Sequence, residues 1–132
     1  MKPKMQEKYL FEYAVIRVVP RVEREEFLNV GVILFCAKQK FLKAMCQLDE
    51  ERLLVLFNGH VDADEIKDHL SAFGKIAAGG LQGGPIGELD PASRFRWLTA
   101  TRSTVVQTSK VHPGFCADPQ ETLEKLYSQL VL

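Results

Sequence analysis

Two apolar runs flank a short charged segment near the start of the chain, at residues 11–19 and 28–36. Both runs are rich in β-branched and aromatic residues, which favours strands that are apolar on both faces. The connection between them begins with Pro20, which ends the first strand, and its mixed charge run is too long for a two-residue turn and has room for a helical turn. Because strands this close in sequence pair most simply antiparallel, the pattern predicts a hairpin.

A third strand is predicted at residues 41–48, where apolar and polar positions alternate. The same period of two divides the second run into two faces. One face carries Leu28, Val30, Val32, Leu34 and Cys36, and the other carries Asn29, Gly31, Ile33 and Phe35. Three strands in succession predict an antiparallel meander, which needs helices to cover an apolar face.

Four aspartates stand at helix-start positions. Asp49 precedes a short helix that Gly59 ends, and Asp62 with Glu65 forms a capping box for a longer one. The longer helix has apolar residues at helical spacing: Ile66, Leu70, Phe73 and Ala77. Asp–Pro pairs at 90–91 and 118–119 start two further helices, the last with the apolar stripe Leu123, Leu126, Tyr127 and Leu130.

The remaining segments contain turn residues or short β-branched runs. Residues 79–90 contain five glycines and a proline and are predicted to be an exposed, mobile loop. Residues 102–108 are predicted to return as a further strand, and residues 109–117, which contain Pro113 and Gly114, to be loop.

The predicted fold is therefore a single α+β domain over residues 1–132. Its antiparallel sheet is a meander over residues 11–48 joined by the later strand, with helices packed mainly on one side. Residues 1–8 are polar and form a loose lead-in.

The composition is typical of a soluble globular protein, and the charge balance disfavours one class of partner, nucleic acid. The chain is 46% hydrophobic and 26% charged, and its 17 Lys and Arg balance its 17 Asp and Glu, so nucleic-acid binding is unlikely. No apolar run approaches the ~20 residues of a membrane helix, and no signal peptide is evident. Three cysteines without a CxxC pair favour the reducing cytosol.

Several segments together carry a resemblance to a known family. YAVIRVVP and REEFLNVGVILF, followed in order by RFRWLTATRS, VHPGF and DPQETLEKLY, resemble the bacterial domain of unknown function 3037 family. The resemblance runs from residue 11 to residue 130. It implies a short cytosolic protein and, because members are often encoded beside a HipA-like kinase domain, a kinase of that type as a candidate partner. It assigns no catalytic residues, so none are carried over.

Arg17 interrupts an otherwise apolar strand face, so either that face opens to water near Pro20 or the guanidinium is partly buried. A buried guanidinium must have a partner. Two explanations stay open. One is a structural ion pair with Glu25 or Glu26 from the connection. The other is a phosphate or carboxylate pocket, in which Arg17 and Asn29 bind the anion, Gly31 lets it approach the backbone, and Glu26 is the candidate acid or base.

A second cluster comprises Arg94, Arg96, Trp97, Thr101, Arg102 and Ser103. Arg94, Trp97 and Thr101 are spaced to share one helix face. Arginine beside tryptophan can grip a phosphate, stack on a base or bind a protein partner, while the structural alternative is a solvated helix face with Trp97 in the core. Arg94 and Arg102 are thus further candidate anion ligands, and Trp97 a candidate partner surface. Convergence of Arg17, Arg94 and Arg102 would make the strongest site.

No cofactor or metal site is predicted, since His60, His69 and His112 lack a ligand spacing backed by a second pair. The preferred function is a non-enzymatic accessory or protein-binding module. The alternative is a small enzyme or binding protein for a phosphate- or carboxylate-bearing substrate, and a third is nucleic-acid binding. Whether the protein is an enzyme stays open.

Overall fold

The computed structural model describes residues 7–19, 26–57, 62–102 and 104–132. These residues form the predicted α+β fold, an antiparallel sheet with helices. The strands are β1 (Tyr9–Val18), β2 (Leu28–Cys36), β3 (Phe41–Cys46), β4 (Val106–Thr108) and β5 (His112–Cys116). The helices are α1 (Glu50–Phe57), α2 (Ala63–Ala78), α3 (Gly84–Gly87), α4 (Pro91–Leu98) and α5 (Pro119–Leu130). The first six residues of the expected lead-in, the connection at 20–25 and the expected stop at Gly59 lie outside the described residues.

Strand β1 is central to the sheet. It pairs with β2 along one edge, and β2 pairs in turn with β3, which is the predicted meander. Along its other edge β1 pairs with two short strands, β5 near its start and β4 near its end. The further strand predicted at residues 102–108 is thus confirmed in its last three residues.

The prediction that Leu28, Val30, Val32, Leu34 and Cys36 all lie on one face of β2 was wrong. The register of β1 against β2 shifts at Ile16, which pairs with Gly31, while Arg17 pairs with Asn29. The extra residue, Val30, makes a β-bulge, and a bulge reverses the alternation beyond it. Leu28 and Val30 therefore share their core with Ile33 and Phe35, while Val32, Leu34 and Cys36 face the opposite core.

The prediction that residues 109–117 are loop was wrong for residues 112–116, which form β5. Pro113 is tolerated because β5 is an edge strand, on which a residue without an N–H need not interrupt the ladder. Gly114 lies opposite Phe11, and a Cβ at Gly114 would stand 2.6 Å from Phe11 Cζ. Pro113 and Gly114 can therefore both lie in a strand that pairs with β1.

The sheet is covered on both faces, although most helices lie on one side as predicted. Helices α1, α2 and α4 pack on one face through buried residues that include Leu53, Phe73, Phe95 and Leu98. The four positions predicted to be buried in α2, Ile66, Leu70, Phe73 and Ala77, are all buried. On the opposite face α5 packs through Leu123 and Tyr127 against Phe11 and Leu34.

The glycine-rich segment at residues 79–90, which was expected to be an exposed, mobile loop, is partly helical. It contains one turn of 3-10 helix, Leu81–Gly83, followed by the single-turn helix α3. The segment closes on itself because the Gly80 N–H donates to the Gly87 carbonyl at 2.8 Å, and a Cβ at Gly87 would lie 2.5 Å from Gly80 O. Glycine is required there by the close backbone approach.

Candidate functional site: an apolar groove beside Trp97

Helix α4 carries Trp97, and local sequence signals position it. Asp90 caps the helix by accepting hydrogen bonds from Ser93 N at 3.1 Å and Ser93 Oγ at 2.6 Å, and these bonds lower the pKa of Asp90. Pro91 occupies the first turn, where its missing N–H costs nothing. Phe95 and Leu98 are buried, so Trp97 points away from the core and its side chain is 41% exposed.

Arg102 fixes the tryptophan in place. Its guanidinium carbon lies 4.1 Å from the centre of the Trp97 ring. Its Nη1 donates to the Leu98 carbonyl at 3.5 Å, and its Nη2 donates to the Trp97 carbonyl. Partial burial lowers the pKa of Arg102, but a guanidinium stays charged at neutral pH. The side chain thus caps the carboxyl end of α4 and places a positive charge against the indole.

The indole forms part of the rim of a groove between α2, α4 and the start of β4. We call it the Trp97 groove. Its volume is about 290 Å³ and its floor is apolar. Its lining comprises Ala72, Phe73, Ile76, Leu98 and Val106, with His69, Trp97, Arg102 and Thr104 around the rim. A mostly apolar concavity with a few polar groups at its edge is typical of a binding site.

Arg94 does not face this groove as a free cation. Its Nη1 donates to the carbonyls of Ile76 at 3.0 Å and Ala77 at 2.7 Å, and its Nε donates to Leu89 O at 2.9 Å. These carbonyls include the last turn of α2, where backbone acceptors lack helical partners. Arg94 therefore joins α4 to the end of α2. The neighbouring Arg96 forms an ion pair with Glu12, with Nη1 to Oε2 at 3.1 Å.

Arg17 lies on the other face of the sheet. Ile16 and Val18, its chain neighbours, belong to the core beneath α2 and α4, so by strand alternation Arg17 faces the side of α5. Its guanidinium carbon lies 4.2 Å from the centre of the Phe27 ring, and among the described residues its buried Nε has no hydrogen-bond partner. The sheet thus separates Arg17 from Arg94 and Arg102, and the three arginines do not converge.

Asn29 accompanies Arg17 on that side. Its Nδ2 donates to the Leu130 carbonyl at 3.1 Å, which fixes it against the end of α5. It also lines a separate cleft of about 270 Å³ that contains both Asp49 and Arg52, so the cleft is not a basic pocket. Glu26 is exposed and takes part in an interaction of its own. Glu25 lies outside the described residues.

Gly31 serves the packing of the sheet. A Cβ there would stand 2.5 Å from Met45 O and 2.9 Å from Cys46 Sγ. Strand β3 fills the space where a side chain of residue 31 would be, so a ligand cannot reach the backbone there. Among the predicted site residues, the structure therefore brings Trp97 together with Arg102, and on the opposite face of the sheet it pairs Arg17 with Asn29.

Sequence reasoning did not include the α2 side of the groove. Phe73 was predicted as a core residue, but Ile76 and His69 were not connected with Trp97. The spacing of Ile76, three residues beyond Phe73, was the available signal for a face shared with the groove. The contribution of Val106 and Thr104 depends on the path of the chain after α4, which no local pattern indicates.

Two further features bear on the class of protein. Across the residues that the structure describes, no cluster of three or more His, Cys, Asp or Glu is arranged to hold a metal ion. In the same part of the chain, no helix has the length and apolar character needed to cross a membrane.

Comparison with known proteins gives one match. The model of a family described as a protein of unknown function, DUF3037, matches residues 13–131, which is nearly the whole chain, and this confirms the resemblance seen in the sequence. No curated protein and no solved structure matches the chain.

Proposed function

The chain belongs to the DUF3037 family, and because that description assigns no activity, we propose a function from its surface: a cytosolic, non-enzymatic module that binds another protein through the Trp97 groove. The observation that carries this proposal is the exposed indole held beside an apolar groove by Arg102. Tryptophan and arginine are among the residues most enriched at the energetic centres of protein interfaces.

The groove fits an apolar anchor from the partner. Its volume of about 290 Å³ is enough for one or two large aliphatic or aromatic side chains, and its floor offers Phe73, Leu98 and Val106 as contacts. Burial of such a side chain contributes roughly 1.5–3 kcal/mol. A single anchor of this size suits a short segment of the partner rather than a broad flat interface.

Arg102 at the rim of the groove indicates which charged group the partner should carry. Arg102 is held by two carbonyls and by the indole, so it loses little side-chain entropy when it binds a partner group. A carboxylate placed over the guanidinium would gain a charge-assisted hydrogen bond at the edge of an apolar surface. We therefore propose a partner segment in which an acidic residue lies beside the apolar anchor. The HipA-like kinase that the family resemblance implies is the first partner to test.

Differential capture tests the proposal. The wild-type chain, Trp97→Ala, Arg102→Glu and the control Phe115→Ala are each immobilised and exposed to lysate of the source cell, and bound proteins are quantified by mass spectrometry. Phe115 is a suitable control because it is 70% exposed on β5, which pairs with the start of β1, whereas the groove adjoins β4 at the end of β1. We expect a protein that the wild type and Phe115→Ala retain equally, and that both groove variants lose.

The rival function predicts a different result. If the protein binds a small phosphate or carboxylate ligand, phosphate, sulfate or a nucleotide should raise the melting temperature, and Arg102→Ala should abolish the shift. Such a shift, together with no protein whose capture depends on Trp97, would replace the proposed function with ligand binding. Folding of each variant is checked by circular dichroism.

A further inference from the structure

The outer face of α2 is self-complementary in charge. Asp68 and Lys75 are both exposed, and they are seven residues apart, which is about two helical turns and about 10 Å along one face. No ion pair or hydrogen bond occupies either side chain within the described part of the chain. The face is therefore acidic toward the start of α2 and basic toward its end.

Small residues occupy the midpoint between these two charges. Ser71 and Ala72 are both exposed there. A second α2 that crossed at this point could approach closely, because neither side chain projects far. Depressions border this face: Asp68, Ser71, Ala72 and Lys75 line one together with Gln82 and Gly83 of the 3-10 turn, and Asp68 and Ala72 line another. The 3-10 turn thus lies beside the Lys75 end of the face, while the side chains of the face itself are exposed.

We propose that a second copy of this chain docks on the outer face of α2, with the two helices antiparallel and crossing at Ser71 and Ala72. In that arrangement Asp68 of each copy faces Lys75 of the other, so a two-fold dimer contains the pair twice. The formal net charge of zero removes long-range repulsion between copies. A second copy presents both a Lys75 for Asp68 and an Asp68 for Lys75. A partner with a uniformly acidic or uniformly basic surface could pair with only one of the two.

This surface also adjoins the Trp97 groove, since Ala72 lines both. A docked second copy would cover one wall of the groove, and partner binding would then compete with self-association. That consequence rests on the proposed function, whereas self-association itself does not.

Sedimentation velocity of the purified chain tests the proposal without any partner. The wild type should show a concentration-dependent shift from monomer to dimer up to roughly 0.5 mM, with weaker association at high salt. Asp68→Lys and Lys75→Asp should each weaken association by about tenfold or more, because each turns two attractive pairs into two repulsive ones. The double variant Asp68→Lys/Lys75→Asp should restore association, since the swapped charges are again complementary.

Mixing the two single variants provides an independent arm. The mixture should form a heterodimer, although neither variant associates with itself. A wild-type chain that stays monomeric over this range would overturn the proposal. So would a dimer that the single reversals leave unchanged, or one that the double swap does not restore. Because no partner protein is present, these outcomes are independent of the capture experiment that tests the groove.

Discussion

The guanidinium carbon of Arg102 lies 4.1 Å from the centre of the Trp97 ring, and the same side chain donates hydrogen bonds to the carbonyls of Trp97 and Leu98. One residue therefore ends helix α4 and orients the indole at the rim of the groove. Its structural role and its proposed binding role are compatible, because a guanidinium stacked on a ring and held by carbonyls is already ordered before a partner arrives.

Replacement of Arg102 tests this dual role. Arg102→Ala removes the stacking and the hydrogen bonds to the end of α4, so we expect a loss of about 1 kcal/mol in the free energy of unfolding. Arg102→Lys should recover less than half of that, since an ammonium cannot stack as a plane. Urea unfolding followed by tryptophan fluorescence measures both, because Trp97 is the single tryptophan. A full recovery by lysine would show that charge alone matters.

Arg94 and Arg96 form a matched pair on the same helix. Arg94→Met deprives three backbone carbonyls of a charged donor and should cost about 2–3 kcal/mol. Arg96→Met breaks an exposed ion pair with Glu12 and a 5.9 Å contact with the Phe95 ring, and should cost less than about 1 kcal/mol. Chemical denaturation of both variants gives the comparison. Equal losses would contradict the assignment of Arg94 to the junction of α4 with α2.

Gly31 and Gly74 are a second matched pair. Gly31→Ala places a Cβ 2.5 Å from Met45 O, so the sheet must move and the variant should lose about 2–4 kcal/mol. At Gly74, inside α2, an added Cβ meets nothing within 4 Å. Gly74→Ala should therefore gain about 0.5–1 kcal/mol from helix propensity. Thermal unfolding distinguishes the two, and a tolerant Gly31 would mean that β3 does not approach it closely in solution.

Cys46 should resist alkylation while the protein is folded. Burial raises the pKa of Cys46 to about 12, from an ordinary value of about 9. At a pH below both values the thiol of Cys46 keeps its proton more strongly in the folded protein, so the reactive thiolate is much scarcer than in the unfolded chain. Iodoacetamide labelling near neutral pH, quantified by mass spectrometry with and without denaturant, checks this. Equal labelling rates in both states would contradict the burial of this thiol.

Features fixed by local interactions were predictable from the sequence. Asp62 caps α2 by accepting from the N–H groups of Asp64 and Glu65, and Asp118 caps α5 in the same way. These bonds join residues two or three positions apart, so the residue types alone indicate them. The buried stripe of α2 follows from helical periodicity for the same reason.

Features fixed by distant contacts were not predictable. The bulge at Val30 reverses the faces of β2. The adjacent Gly31 is a residue type that often marks a bulge, but it does not show whether the strand is bulged or only closely approached by another backbone. Pro113 and Gly114 were predicted to be loop because both are turn-forming residue types. Their pairing depends on the edge of β1, which lies roughly a hundred residues away in the chain. The partners of Arg94 are carbonyls of α2, and any arginine on an exposed helix face has the same local sequence signal. The sequence pattern therefore could not distinguish a structural arginine from an anion ligand.

The most direct test of the groove is the affinity of the captured protein for purified variants, measured by isothermal titration calorimetry. Trp97→Ala should weaken binding by about tenfold or more, since loss of a central aromatic anchor typically costs about 2 kcal/mol or more. Phe115→Ala should bind within about twofold of the wild type, as expected for a residue outside the interface. Equal affinities of Trp97→Ala and the wild type would contradict binding through the Trp97 groove.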